Sequence, residues 1–313
     1  MGRVIGRSFG PPMTARWGVA LALTTAVISG FAVFVNAYGV KQVPDAAVYT
    51  TVKNGVAALL LLVFAGLVVP ARTVRRLGRR DWLGLAVIGV VGGSVPFILF
   101  FSGLAVASAP TAAFIHKTLF IWVALLAVPF LGERLGILPV AAMAVLLAGQ
   151  ALATPPTGIV WGAGETMIAA ATLLWSVEVI LARRLLLGQV PSPLLGAARL
   201  GIGLVVLIGY LAVSGRLGIL AGLTPNQWFW ALVTGLPLAG YVATWFAALK
   251  RAPASVVTSV LVLGAPITAL LQALANGAVP APGALLGQLL IVVAALGLAA
   301  LAARRPMAAR VAA

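Results

Sequence analysis

Six ionisable side chains stand inside otherwise apolar stretches of this sequence: Lys53, His116, Lys117, Glu165, Glu178 and Arg199. Burying a charge at the centre of a membrane-spanning helix costs about 2.5–3.5 kcal/mol on insertion scales, so such residues mark ion pairs, proton relays or ligand sites. Arg199 lies near the start of one apolar stretch and Glu178 near the end of the stretch before it, which places both at one depth. A hydrogen-bonded pair would remove two isolated charges at once, a structural clamp. The alternatives are that Arg199 snorkels to the headgroups or that it meets a bound solute.

Lys53, Lys117 and His116 fall near the opposite surface, and Glu165 at a similar level. Together they describe an electropositive pocket suited to a carboxylate. The competing arrangement pairs Lys53 or Lys117 with Glu165 or Asp45, or lets the lysines snorkel. Neighbouring helix positions point about 100° apart, so His116 and Lys117 are not expected to face one cavity squarely. His116 is the only histidine; it can carry a coupling proton near neutral pH or simply bridge two helices. With no cysteine and no second histidine, neither a metal site nor a cofactor is expected. No aspartate lies deep in an apolar stretch and no serine partner for His116 is identifiable, so an enzyme is not expected.

Aromatic residues accompany these charges. Trp175 precedes Ser176 and Glu178, and with Tyr38, Tyr49, Phe100 and Phe101 it can wall a site for an apolar or aromatic solute, since ligand cavities are mostly apolar with few polar anchors. Core packing is the plainer role for Trp175. Trp17, Trp82, Trp161, Trp228 and Trp230 fall near the ends of apolar stretches, where aromatic belts anchor helices. Pro96, Pro237 and Pro266 fall within stretches, where each deletes a backbone donor and makes a candidate hinge. Gly89, Gly92 and Gly93 crowd the same stretch as Pro96.

The elements that must position these residues are helices in a bilayer. Of 313 residues, 62% are hydrophobic and 8% charged, against roughly 25% charged in a soluble domain. Spans of about 20 apolar residues are expected at 17–40, 46–69, 82–106, 109–131, 135–154, 161–183, 193–214, 226–249, 253–276 and 283–303. The net charge of +16 does not point to nucleic acid, because the cations cluster in short segments between spans. Sixteen of the 21 Lys and Arg residues fall on the side of the two termini, including Arg3, Arg7, Arg305 and Arg310, while Lys41 and Arg216 fall on the other. By the positive-inside rule both termini are expected in the cytoplasm.

The two halves repeat. Ala26 to Ala57 aligns with Thr172 to Gly203, placing Lys53 on Arg199 and Ala32 on Glu178, and Ser108-Ala109-Pro110 aligns with Arg251-Ala252-Pro253. Residues 1–155 and 156–313 are the expected units. Five spans per unit is odd, so the second inserts upside down, and inverted repeats of this kind enclose a site near the bilayer midplane.

Ten spans in two such units, with Asn36-Ala37-Tyr38 before Pro44, Leu131-Gly132-Glu133-Arg134-Leu135 closing the fourth span, and Leu174-Trp175-Ser176 opening the second half, resemble the drug/metabolite transporter superfamily. The likeness is to its EamA-type branch, which includes YddG-type amino acid exporters. The second half lacks the closing Gly-Glu and has Ala275-Asn276-Gly277 near that place. The resemblance implies an all-α membrane protein of the bacterial inner membrane. It implies a secondary transporter exporting small organic metabolites, amino acids above all and aromatic or hydrophobic ones among them, by alternating access. A multidrug or cationic-metabolite exporter is the alternative within the branch. A small-molecule substrate and the lipid bilayer are the expected partners, without nucleic acid, and a monomer is the expected state.

Overall fold

The computed structural model describes residues 15–155, 161–277 and 279–304; Arg3, Arg7, Arg305, Arg310 and the Pro156-to-Gly158 break lie outside them. Every regular element among the described residues is a helix. The first half holds α1 (Ala15–Gly39), α2 (Ala46–Val68), a short α3 (Ala71–Arg75), α4 (Arg79–Val91), α5 (Val95–Leu104), α6 (Ala109–Lys117), α7 (Leu119–Leu131) and α8 (Ile137–Ala153). The second holds α9 (Ala163–Leu187), α10 (Ser192–Val213), a short α11 (Leu217–Ala221), α12 (Pro225–Leu249), α13 (Ala254–Leu261), α14 (Gly264–Asn276) and α15 (Pro282–Arg304).

Nine spans among the described residues are long and apolar enough to cross a membrane, with α4–α5, α6–α7 and α13–α14 each forming one of them. The tenth, α8, has 17 residues, about 25 Å at 1.5 Å per residue. Leu67, Leu125, Ile137, Val205 and Val293 are among many large apolar side chains left exposed around the bundle, which only a lipid surround makes stable. Among the described residues ten spans therefore form the bundle, and three of them are interrupted.

Those interruptions follow from sequence. In the third span the Gly92 carbonyl would accept from residue 96, which is proline and has no N–H. The helix stops at Val91 and resumes at Val95, with Pro96 in its first turn. Pro266 likewise cannot serve the Val262 carbonyl, which instead accepts from the Ala265 amide at 3.0 Å. Pro96 and Pro266 thus start the second part of a broken span, whereas Pro237 lies inside the continuous α12. Pro129, inside α7, is a fourth such residue that the expected hinges did not include. The breaks at Thr118 and at Val262 fall at matching places in the two halves, as do the left-handed glycines that end α7 and α14, Gly132 (φ 66°) and Gly277 (φ 63°).

The most extensive packings join one half to the other: α1 with α12, α2 with α10, α5 with α9 and α8 with α15. Small residues make these crossings close. A Cβ on Gly30 would lie 2.6 Å from that of Ile267, and one on Gly203 would lie 2.5 Å from the Gly93 carbonyl oxygen. The halves are interleaved, so any cavity on the bundle axis is walled by both.

Candidate functional site

Such a cavity exists. It measures about 890 Å³ and is lined by α1, α5, α6, α7 and α8 from the first half and α9, α10, α12, α13, α14 and α15 from the second. It runs from Trp245 and Thr258 toward Thr154, Asn276, Pro280 and Ala284, so it reaches the end of the bundle where α14 stops and α15 begins.

The opposite end is tied shut by hydrogen bonds between helix termini. Glu133, just past α7, accepts from the backbone amides of Ala254 (2.5 Å) and Ser255 (3.2 Å) at the start of α13. The carboxylate thus caps a helix of the other half, where exposed N–H groups and the helix dipole favour an anion. Arg184 donates to the Phe130 carbonyl at 2.8 Å, Arg183 donates to the Leu249 carbonyl, and Lys250 to that of Val190 at 3.3 Å. Burial and then the neighbouring Arg251 push the Lys250 ammonium below its usual range.

Within the cavity, Arg199 donates from Nε to Glu178 Oε1 at 3.0 Å and from a terminal nitrogen to Oε2 at 3.5 Å. Both residues are buried, at 8% and 2% exposure. The guanidinium lies 6.0 Å from the Phe97 ring centre. From there rings continue without a gap: Phe97 to Trp175 at 5.2 Å, Trp175 to His116 at 4.9 Å and His116 to Phe100 at 5.2 Å. Trp175 also explains how the break in the third span is tolerated. Its indole N–H donates to the Gly92 carbonyl at 3.1 Å, replacing the donor that Pro96 lacks. From α12, Tyr241 and Trp245 stack at 5.9 Å, and both line the cavity.

Of the residues singled out by sequence, His116, Lys117, Trp175, Phe100, Phe101, Glu178 and Arg199 line this cavity. His116 and Lys117 both do so, from consecutive positions at the end of α6. Lys117 makes no ion pair among the described residues.

Lys53, Tyr49 and Tyr38 do not line it. Lys53 is 8% exposed and donates to Asn36 Oδ1 at 3.3 Å, an oxygen that also accepts from the Tyr49 hydroxyl at 2.7 Å. It reaches the cavity only through Asn36, which does line it. Tyr38 is exposed and packs edge-on against Phe34. The expected pairing of a lysine with Asp45 or Glu165 is absent for a structural reason. Asp45 caps α2 through the amides of Ala47 (2.8 Å) and Val48 (3.0 Å) and meets Arg216 at 3.4 Å. Glu165 accepts from the Gly162 amide at 3.1 Å at the start of its own helix.

Sequence reasoning missed Asn36, Phe97, Gln150, Tyr241, Trp245 and Gln288 as cavity residues. Tyr241 and Trp245 were detectable, being one helical turn apart on a common face. A second cavity of about 350 Å³ lies beside the first, between α2, α5 and α10, and shares Phe97 and Phe101 with it.

A membrane bundle of two interleaved halves around one mixed aromatic and charged cavity is the architecture of a solute transporter. The sequence matches the EamA-like transporter family twice, over residues 16–154 and 162–300, and the chain belongs to that family. No curated protein matches it. A solved structure titled only "Crystal structure of protein" shares the fold at a TM-score of 0.74 and 18% identity, covering 90% of this chain and 97% of that one.

Proposed function

We propose that this chain is a secondary carrier that exports small carboxylate-bearing metabolites, amino acids with apolar or aromatic side chains foremost, by alternating access across a bacterial inner membrane. In this reading residues 1–155 and 156–313 are the two inverted repeats that together wall the cavity, and both termini are cytoplasmic. The observation that carries it is the charge balance of the cavity. Glu178 and Arg199 neutralise each other, which leaves Lys117 as the unpaired charge on a wall of aromatic rings among the described residues. One cation beside apolar surface suits a solute with one carboxylate and an apolar body.

A cationic cargo is disfavoured by the same accounting. All five acids of the sequence are engaged: Asp45, Asp81 and Glu165 cap their own helices, Glu133 caps α13, and Glu178 holds Arg199. The sequence has no GxxxxGK[ST] phosphate loop, so movement follows a gradient or an exchange.

The test is counterflow of labelled L-phenylalanine into proteoliposomes. Lys117→Ala should raise KM about tenfold or more, the loss of roughly 1.4 kcal/mol of binding, while the purified variant keeps the wild-type unfolding temperature. Unchanged uptake by Lys117→Ala would remove the carboxylate assignment.

A further inference from the structure

We propose that Gln150 and Gln288 form an amide pair, one from each half, that hydrogen-bonds an N–H-bearing group of the transported solute. The inference rests on the carrier reading and assigns to the same cavity a second recognition point.

The pair is built by the crossing of α8 and α15. These helices meet backbone to backbone at Gly149 and Gly287: a Cβ on Gly149 would lie 2.8 Å from the Gly287 carbonyl oxygen, and one on Gly287 would lie 2.6 Å from that of Gly149. In each helix the next residue is glutamine, and both glutamines line the cavity. Gln150 is 2% exposed, yet neither its Oε1 nor its Nε2 has a hydrogen-bond partner, and Oε1 of Gln288 has none either. Buried side-chain amides in folded proteins are nearly always bonded. Leaving one unpaired in an apolar seam is unfavourable, and leucine fills the nearby positions 146, 147, 289 and 290. The fold therefore holds two acceptors and a donor ready for a partner that enters from the cavity.

The geometry gives that partner its chemistry. Helix α8 packs against α15 on one side and against α6, which carries Lys117, on another. A solute whose carboxylate meets Lys117 can direct an ammonium or amide N–H at the two amide oxygens. Because α8 and α15 cross backbone to backbone at Gly149 and Gly287, the two amides are held side by side and one bound group can meet both.

The experiment compares counterflow of L-phenylalanine with that of 3-phenylpropionate, which lacks the ammonium, in liposomes holding the full chain or its Gln150→Met/Gln288→Met variant. The wild type should prefer phenylalanine by about tenfold or more in KM, the scale of a single well-made hydrogen bond. The variant should lose that preference, its KM for phenylalanine rising to that for 3-phenylpropionate. Without solute its unfolding temperature should be unchanged or higher, since no bond within the fold is broken. Retained preference, or a lowered unfolding temperature in the solute-free variant, overturns the proposal. If the wild type carries neither probe, the amino acid reading fails, and the amide pair is judged on thermal shifts by benzamide and methyl benzoate. A benzamide preference present in the wild type and lost in the variant supports it; equal shifts in both proteins overturn it.

Discussion

At the scale of single residues, the ion pair and the tryptophan beside it make different demands. Glu178 and Arg199 are each buried on the cavity wall, so truncating one leaves the other charged and unpaired. Breaking a buried pair in this way costs about 3–5 kcal/mol, whereas removing both charges costs far less. Glu178→Gln should therefore destabilise the chain strongly, and adding Arg199→Gln should recover most of the loss. Unfolding in detergent across the four members of the double-mutant cycle measures this, and additive effects would show that the contact contributes nothing. Trp175→Phe keeps a ring against Phe97 but strands the Gly92 carbonyl. The cost should be about 1–3 kcal/mol, that of a buried acceptor left without its bond; an unchanged unfolding midpoint would mean that water serves the carbonyl equally well. Charges such as these were legible in the sequence because a lone cation or acid in an apolar run has few explanations. Lys53 misled for the same reason: its partner is the neutral Asn36, and nothing in composition distinguishes an amide that serves a lysine from one that is merely tolerated.

At the scale of elements, the ten spans and their order were readable from hydropathy, and the interruptions were not. Hydropathy is blind to a broken helix because the residues at a break, Gly92-Gly93-Ser94 or Val262-Leu263, are as apolar or small as their neighbours. What breaks the third span is a missing donor at Pro96 together with a packing need. Gly93 sits against the backbone of Arg199, and a Cβ there would overlap the Arg199 carbonyl and lie 2.6 Å from that of Gly89. The Arg199 backbone cannot shift without moving the residue whose guanidinium holds Glu178. Gly93→Ala should therefore abolish recovery of folded, monodisperse protein. Gly209→Ala and Gly283→Ala, whose added methyl groups would meet nothing within 4 Å, should behave as wild type. A normal size-exclusion profile for Gly93→Ala would show that the crossing has slack that the backbone contact does not suggest.

At the scale of the whole molecule, the repeat is close in shape but unequal in chemistry, and that inequality decides which way the cavity opens. Gly132 and Gly277 end equivalent spans in the same left-handed turn, but only the first is followed by a glutamate. Glu133 binds the start of α13 at the end of the bundle away from the cavity mouth. The sequence after Gly277 offers no carboxylate with which to clamp the start of α6. One end is latched and the other stands open. On the proposed orientation, with the cation-rich segments in the cytoplasm, the open end faces away from it. The absence of cysteine makes accessibility a clean measurement. Leu261→Cys, on the cavity wall, should react with a membrane-impermeant maleimide added outside intact cells and not with the same reagent added to inverted vesicles. Adding Glu133→Ala removes the cap on α13, so reaction from the cytoplasmic side should appear as that end loosens. Labelling of the single-cysteine protein from the cytoplasmic side alone would reverse the orientation. If Glu133→Ala left the pattern unchanged, the seal would have to reside in the arginine and lysine contacts to helix-end carbonyls instead.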